Sequence, residues 1–167
     1  MWADTGQVGR CSLVALVLVG HSPELLRGLR AMLAQAAPGV PVGVAGGTDG
    51  GALGTSAPRI LHAVRSALAD APDGAIVLLD LGSAALALEM ALDDLAPAER
   101  ARVRVSRGAL VEGAVRAAVE AAGGASLGGV LAASETPPGR DKLPDDWPAD
   151  GAAPPTVPGA PAGRLER

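Results

Sequence analysis

Residues 12–26 read SLVALVLVGHSPELL. Leu13 to Val19 is almost continuously apolar and stops abruptly at Gly20-His21-Ser22-Pro23. A run that is apolar at every position fits a central parallel strand, because helices cover both of its faces. Ser22 offers an N-cap, Pro23 suits the first helical position, and Glu24 complements the helix dipole. Leu25, Leu26, Leu29, Met32 and Leu33 follow helical spacing, and Pro38-Gly39 ends that helix. The stretch is thus a strand, a tight turn carrying a histidine, and a helix start. Open parallel sheets bind ligands beyond the carboxyl ends of their strands. His21 is therefore the first candidate functional residue.

The same alternation continues outward. Val40 to Ala45 is a short second strand, and Pro41 near its start suits a sheet edge. A Gly-rich loop, residues 46–51, and Gly54-Thr55-Ser56 follow. Thr55 or Ser56 can cap a second helix that carries Ile60, Leu61, Val64 and Leu68, with Pro58 tolerated in its first turn. Ala75 to Leu79 is a third buried strand ending at Asp80, and Leu81-Gly82-Ser83 turns the chain into a third helix, Ala84 to Leu95, closed by Pro97. Val103 to Ser106 is a fourth strand, Leu110 to Ala122 a fourth helix, and Leu127 to Ala133 a last short element. Strand–helix alternation without an internal repeat predicts an α/β three-layer sandwich with a mostly parallel sheet of four to five strands.

Composition sets the outer limits. The 167 residues are 49% apolar, with no Phe and no Tyr, and the two Trp lie at positions 2 and 147. The core must then be built from Leu, Val, Ile, Met and Ala, which bury less area each than aromatics do. Residues 1–11 lack periodicity and are expected to be a disordered leader. From Glu135 the chain becomes rich in Pro, Gly and Ala, so 135–167 is expected to be a disordered tail. The domain proper is expected at 12–134. Net charge is −4 and the Arg residues are scattered, which argues against nucleic-acid binding. One cysteine, Cys11, excludes an intrachain disulfide and a cysteine-built zinc site. Arg10 before an apolar run superficially resembles a signal peptide. The run is short, lacks a small-x-small cleavage site and is too short to span a bilayer. No membrane association and a cytoplasmic location are expected.

Two polar residues, His21 and Asp80, end two buried strands. If those strands are neighbours, both side chains face one crevice. An imidazole held in one tautomer by a carboxylate is a nucleophile with its orienting partner. Ser22, Thr55 and Ser83 can add hydroxyls, Gly54 and Gly82 let backbone come close, and helix N-termini add unpaired N–H groups. That set suits an incoming phosphoryl group. A histidine after a strand can equally be a loop residue bonded to backbone, and Asp80 can be a helix cap. His62 lies about 200° around its helix from Ile60 and is expected at the surface. Cys11 sits at the wrong end of its strand. The Gly-rich loop has no P-loop lysine. Neither a metal nor a cofactor is expected.

The segments LVLVGHSPELLRGLRAML, VAGGTDGGALGTSAPRILHAV, IVLLDLGSAALALEMAL and ALVEGAVRAAVEAAGG together resemble the DhaM family of phosphocarrier subunits, mannose-class IIA domains of the bacterial phosphotransferase system. The resemblance runs from about Leu13 to Ser134. It implies that His21 is the phosphorylated histidine and that Asp80 of DLGS is the carboxylate paired with it. It implies a phosphoryl group taken from phospho-HPr, charged by Enzyme I from phosphoenolpyruvate, and passed to ADP on a DhaL subunit. The ATP so formed would phosphorylate dihydroxyacetone bound on DhaK. A homodimer is also implied. The family's GTD triplet reads Gly54-Thr55-Ser56 here, which removes a negative charge near the site. Some relatives continue into fused HPr and Enzyme I-like domains. This chain runs into a Pro-rich segment instead, so the donor is expected to be a separate protein.

Two other readings share the same residues. One is a non-catalytic module that senses phosphorylation state and touches a regulator. The other is a sirohydrochlorin-type metal chelatase, which also places His-Ser after an apolar strand but needs more metal ligands than His21 and a misdirected His62 supply.

Overall fold

The computed structural model describes residues 13–137. The elements are β1 (Val14–Gly20), α1 (Pro23–Ala36), β2 (Val42–Gly46), α2 (Ala57–Asp70), β3 (Gly74–Leu79), a 3-10 turn (Gly82–Ala84), α3 (Ala85–Asp93), α4 (Pro97–Arg100), β4 (Val103–Val105), α5 (Leu110–Ala122) and α6 (Leu127–Glu135). All four strands are parallel, in the order β2-β1-β3-β4. The expected α/β sandwich is what forms, with four strands and β2 at an edge.

Every residue of β1 is buried. Its alternate side chains serve two cores. Ala15, Val17 and Val19 meet Ile60, Val64 and Leu68 of α2 and Leu88 and Leu92 of α3. Val14, Leu16 and Leu18 meet Leu26, Leu29 and Leu33 of α1, Ala114, Ala117 and Ala118 of α5, and Val130 of α6. This double burial is why the strand reads as continuously apolar. Each fully buried Leu contributes about 2 kcal/mol of transfer free energy, so the core reaches stability by number rather than by aromatic area.

The element bounds differ from expectation where local chemistry intervenes. The third helix is broken into a 3-10 turn and α3, and Pro97 opens the one-turn α4 instead of only closing what precedes it. Proline fits the first turn of a helix, where its missing N–H is not needed. The last element is helical and runs through Glu135, the first residue of the expected tail. The expected leader at 1–11 and most of the expected tail lie outside the described residues. Among the described residues no helix is long and apolar enough to cross a membrane.

The topology fixes the position of the site. The chain leaves β1 for β2 on one side and returns to β3 on the other. The strand order therefore reverses at β1, and the carboxyl ends of β1 and β3 frame the switch-point crevice.

Candidate active site

His21 follows β1 and Asp80 follows β3, and the register pairs Val19 with Leu79. The Asp80 N–H donates to the Val19 carbonyl at 3.1 Å, which carries the parallel pairing one step past the strand end. The two candidate residues are thereby side by side, as the sequence required only if β1 and β3 were neighbours.

Asp80 is held by backbone as well as by imidazole. Its Oδ2 accepts from the His21 N–H at 2.7 Å, and its Oδ1 accepts from the Leu81 N–H at 2.7 Å. The His21 Nδ1 lies 3.1 Å from both carboxylate oxygens. An ionised carboxylate only accepts, so the ring proton belongs on Nδ1 and the lone pair on Nε2. Nε2 lies 3.2 Å from Ser83 Oγ, which can donate to it. The side chain of His21 is 29% exposed and that of Asp80 is 10% exposed. The orienting group is thus shielded and the ring has an open edge.

The remaining candidates divide. Ser83 reaches the imidazole from the 3-10 turn that begins at Gly82. Gly82 itself is open, since an added Cβ would meet nothing within 4 Å. Gly54 donates its N–H to the His21 carbonyl at 3.1 Å. Its φ of +143° and a would-be Cβ 2.7 Å from Thr48 Cγ2 require glycine there. Thr55 is half-buried between Gly54 and Ser56. Ser56 takes the N-cap of α2, accepting from the Arg59 N–H at 3.3 Å. Ser22 caps α1 by accepting from the Leu25 N–H at 3.2 Å and donates to Glu24 at 3.3 Å. Its hydroxyl is engaged in the helix start, and no contact with the imidazole ties it to the site as Ser83 is tied.

Gly20 was not legible as a site residue. A Cβ there would lie 2.7 Å from Asp80 Cγ and 2.7 Å from Asp80 Oδ2. The only signal was its place as the one glycine in a strand of larger residues. Gly20→Ala is expected to push the carboxylate off Nδ1. It should shift the ring ¹⁵N signals of His21 and cost about 1–3 kcal/mol of stability. Thermal melting together with ¹⁵N NMR of the imidazole checks both.

A separate cleft of about 420 Å³ runs along the outer edge of β2, lined in part by Arg30, His62, Ser66 and Asp70. His62 is exposed there on α2, as expected. His21 is not part of that cleft. Its side chain is 29% exposed, and Leu53 and Leu81, the chain neighbours of Gly54 and Asp80, are 74% and 59% exposed, which leaves the surroundings of His21 an open rim. Among the described residues no three His, Cys, Asp or Glu side chains gather as a metal site.

Residues 15–131 match the EIIA-man family model, described as the PTS system fructose IIA component. The chain belongs to this family. Over 123 residues it is 40% identical to the phosphoryl donor subunit DhaM of PEP-dependent dihydroxyacetone kinase from Klebsiella michiganensis, and 38% identical to that from Escherichia coli. Each alignment covers 71% of this chain but only 26% of the relative, so the chain spans about a quarter of their length. A shorter relative, the DhaM of dihydroxyacetone kinase 2 from Listeria innocua, is 33% identical over 109 residues, covering 65% of this chain and 86% of its own. A crystal structure described as unknown function protein EF1359 superposes on this EIIA-man domain with a TM-score of 0.68 and 29% identity, covering 77% of this chain and 98% of the other.

Proposed function

We propose that this EIIA-man domain is the phosphoryl carrier of a dihydroxyacetone kinase system, working through phosphohistidine at His21 Nε2. The observation that carries the proposal is the asymmetric hold on the imidazole: Nδ1 is tied to Asp80, while Nε2 meets the Ser83 hydroxyl on a ring whose side chain is 29% exposed.

The chemistry balances without a cofactor. The Nε2 lone pair attacks the phosphorus of phosphohistidine on HPr. The donor's N–P bond breaks, and the donor imidazole leaves with the electron pair. Positive charge that develops on the His21 ring is stabilised through Nδ1–H by the Asp80 carboxylate. Ser83 Oγ–H, 3.2 Å from Nε2, is placed to turn from the lone pair to a phosphoryl oxygen. Gly82 next to Ser83, Thr55 next to Gly54, and Ser22 next to His21 complete the proposed phosphate surroundings. In the second transfer a terminal oxygen of ADP, held by DhaL, attacks the same phosphorus. The Nε2–P bond breaks and the lone pair returns to Nε2. The ATP then serves dihydroxyacetone on DhaK. A macromolecular donor and acceptor suit an open rim better than a small-molecule substrate, which is normally enclosed. The names of the DhaM relatives support the same assignment. A cytoplasmic homodimer is part of the proposal.

The test is intact mass after incubation with phosphoenolpyruvate, Enzyme I and HPr. The expected result is one added phosphoryl group, acid-labile and removed by DhaL with ADP. A folded chain that gains no mass beside active HPr overturns the proposal.

A further inference from the structure

The loop from Gly47 to Gly54 is closed by its own bonds and tied to the start of α2. The Thr48 N–H donates to the Ala52 carbonyl at 2.9 Å, the Gly51 N–H donates to the Thr48 carbonyl at 3.0 Å, and the Ala52 N–H donates to Thr48 Oγ1 at 3.2 Å. The Arg59 guanidinium donates to the Thr48 carbonyl at 3.2 Å. One further bond crosses from the loop to the cap: Ser56 Oγ donates to Asp49 Oδ1 at 2.5 Å. Ser56 is 8% exposed, and its hydroxyl also accepts from the Arg59 N–H. Between these two anchors stands Gly54, whose N–H holds the His21 carbonyl.

We propose that Asp49 is a positioning residue for His21. Its carboxylate fixes Ser56, the Asp49–Ser56 bond fixes the path of Leu53 to Thr55, and Gly54 transmits that path to the backbone of His21. The imidazole then has two independent references. Asp80 holds the N–H and the ring of His21, while the Asp49–Ser56 tie, through Gly54, holds its carbonyl. Losing the second reference frees the carbonyl side of His21 to move while the Asp80 contacts to its N–H and ring survive. A small misplacement of a reacting atom costs rate without costing affinity for a partner that docks on the surrounding surface. The inference rests on phosphorylation at His21, so its test has an arm that needs no phosphoryl donor.

In phosphorylation by phospho-HPr, Asp49→Ala is expected to lower kcat about tenfold with KM within twofold of wild type. Asp49→Asn keeps an acceptor for the Ser56 hydroxyl and should stay within about threefold of wild type. Ser56→Ala also removes a helix cap, and the double variant Asp49→Ala, Ser56→Ala should be no slower than Ser56→Ala alone, because the two side chains act as one unit. The donor-free arm is ¹⁵N NMR of the imidazole in the full chain. Wild type should show the Nδ1–H form, and Asp49→Ala should show exchange-broadened ring signals. Asp49→Ala within twofold of wild type in kcat, or losses that multiply in the double variant, overturns the proposal. If wild type takes up no phosphoryl group, the carrier reading fails by itself. Unchanged ring signals in Asp49→Ala would then overturn this one.

Discussion

His21→Ala is expected to take up no phosphoryl group under conditions that load wild type with one. The variant should nevertheless fold. The imidazole is 29% exposed, so little apolar burial is lost with it. Asp80 keeps both backbone donors, the His21-position N–H and the Leu81 N–H, each at 2.7 Å. No buried carboxylate is left without a partner, and the penalty for an orphaned charge does not arise. The other histidine is no substitute. His62 is exposed on α2 beside the cleft at the β2 edge, away from Ser83 and the 3-10 turn. Intact mass reads the loss, and a melting temperature within a few degrees of wild type shows that the fold survived. A phosphorylated His21→Ala chain would move the chemistry to another residue and dismantle the assignment.

Much of this site was readable before any coordinates, and the reasons are local. A parallel central strand is apolar on both faces, so β1 and β3 announced themselves and their polar ends stood out as His21 and Asp80. The Ser22 cap was readable because a serine directly before a proline-led helix has one main use, while the second cap was readable only as Thr55 or Ser56 and proves to be Ser56. What stayed hidden depended on contacts between segments distant in sequence. Only the β1–β3 pairing puts Asp80 against Nδ1, and only that contact selects Nε2 as the open nitrogen. Ser22 and Ser83 looked alike as hydroxyls near strand ends, yet one is engaged by its own helix and the other reaches the imidazole. The Gly-rich loop read only as a loop, because glycine reports permissiveness and not the bonds that Thr48 and Asp49 make. The charge that Ser56 removes at the cap of α2 is met by Asp49, seven residues earlier, through a bond no motif encodes.

Asp80→Asn is expected to slow phosphorylation of His21 by about two to three orders of magnitude while leaving the chain folded. The carboxylate performs three acceptances at once, from two backbone N–H groups and from Nδ1–H. A carboxamide has one accepting oxygen and one donating NH₂. Each oxygen lies 2.7 Å from one backbone N–H and 3.1 Å from Nδ1, so either flip sets the NH₂ against both. One backbone donor is then unsatisfied, at a cost of about 1–3 kcal/mol. The NH₂ also donates to Nδ1, which draws the ring toward the form with its lone pair there and its proton on Nε2. The nucleophilic lone pair then points into the protein and the open edge of the ring carries a hydrogen. The same carboxylate-to-amide change in a hydrolase triad lowers kcat by about 10⁴ through the wrong tautomer. The loss here should be smaller, because the carboxamide oxygen still lies within reach of Nδ1 and can accept its proton, which keeps part of the population in the productive tautomer. The rate comes from quenched time points by intact mass, and the tautomer from ¹⁵N shifts of the ring. An Asp80→Asn chain phosphorylated within twofold of wild type would mean that Asp80 serves only as a backbone cap, and that His21 needs no partner to present Nε2.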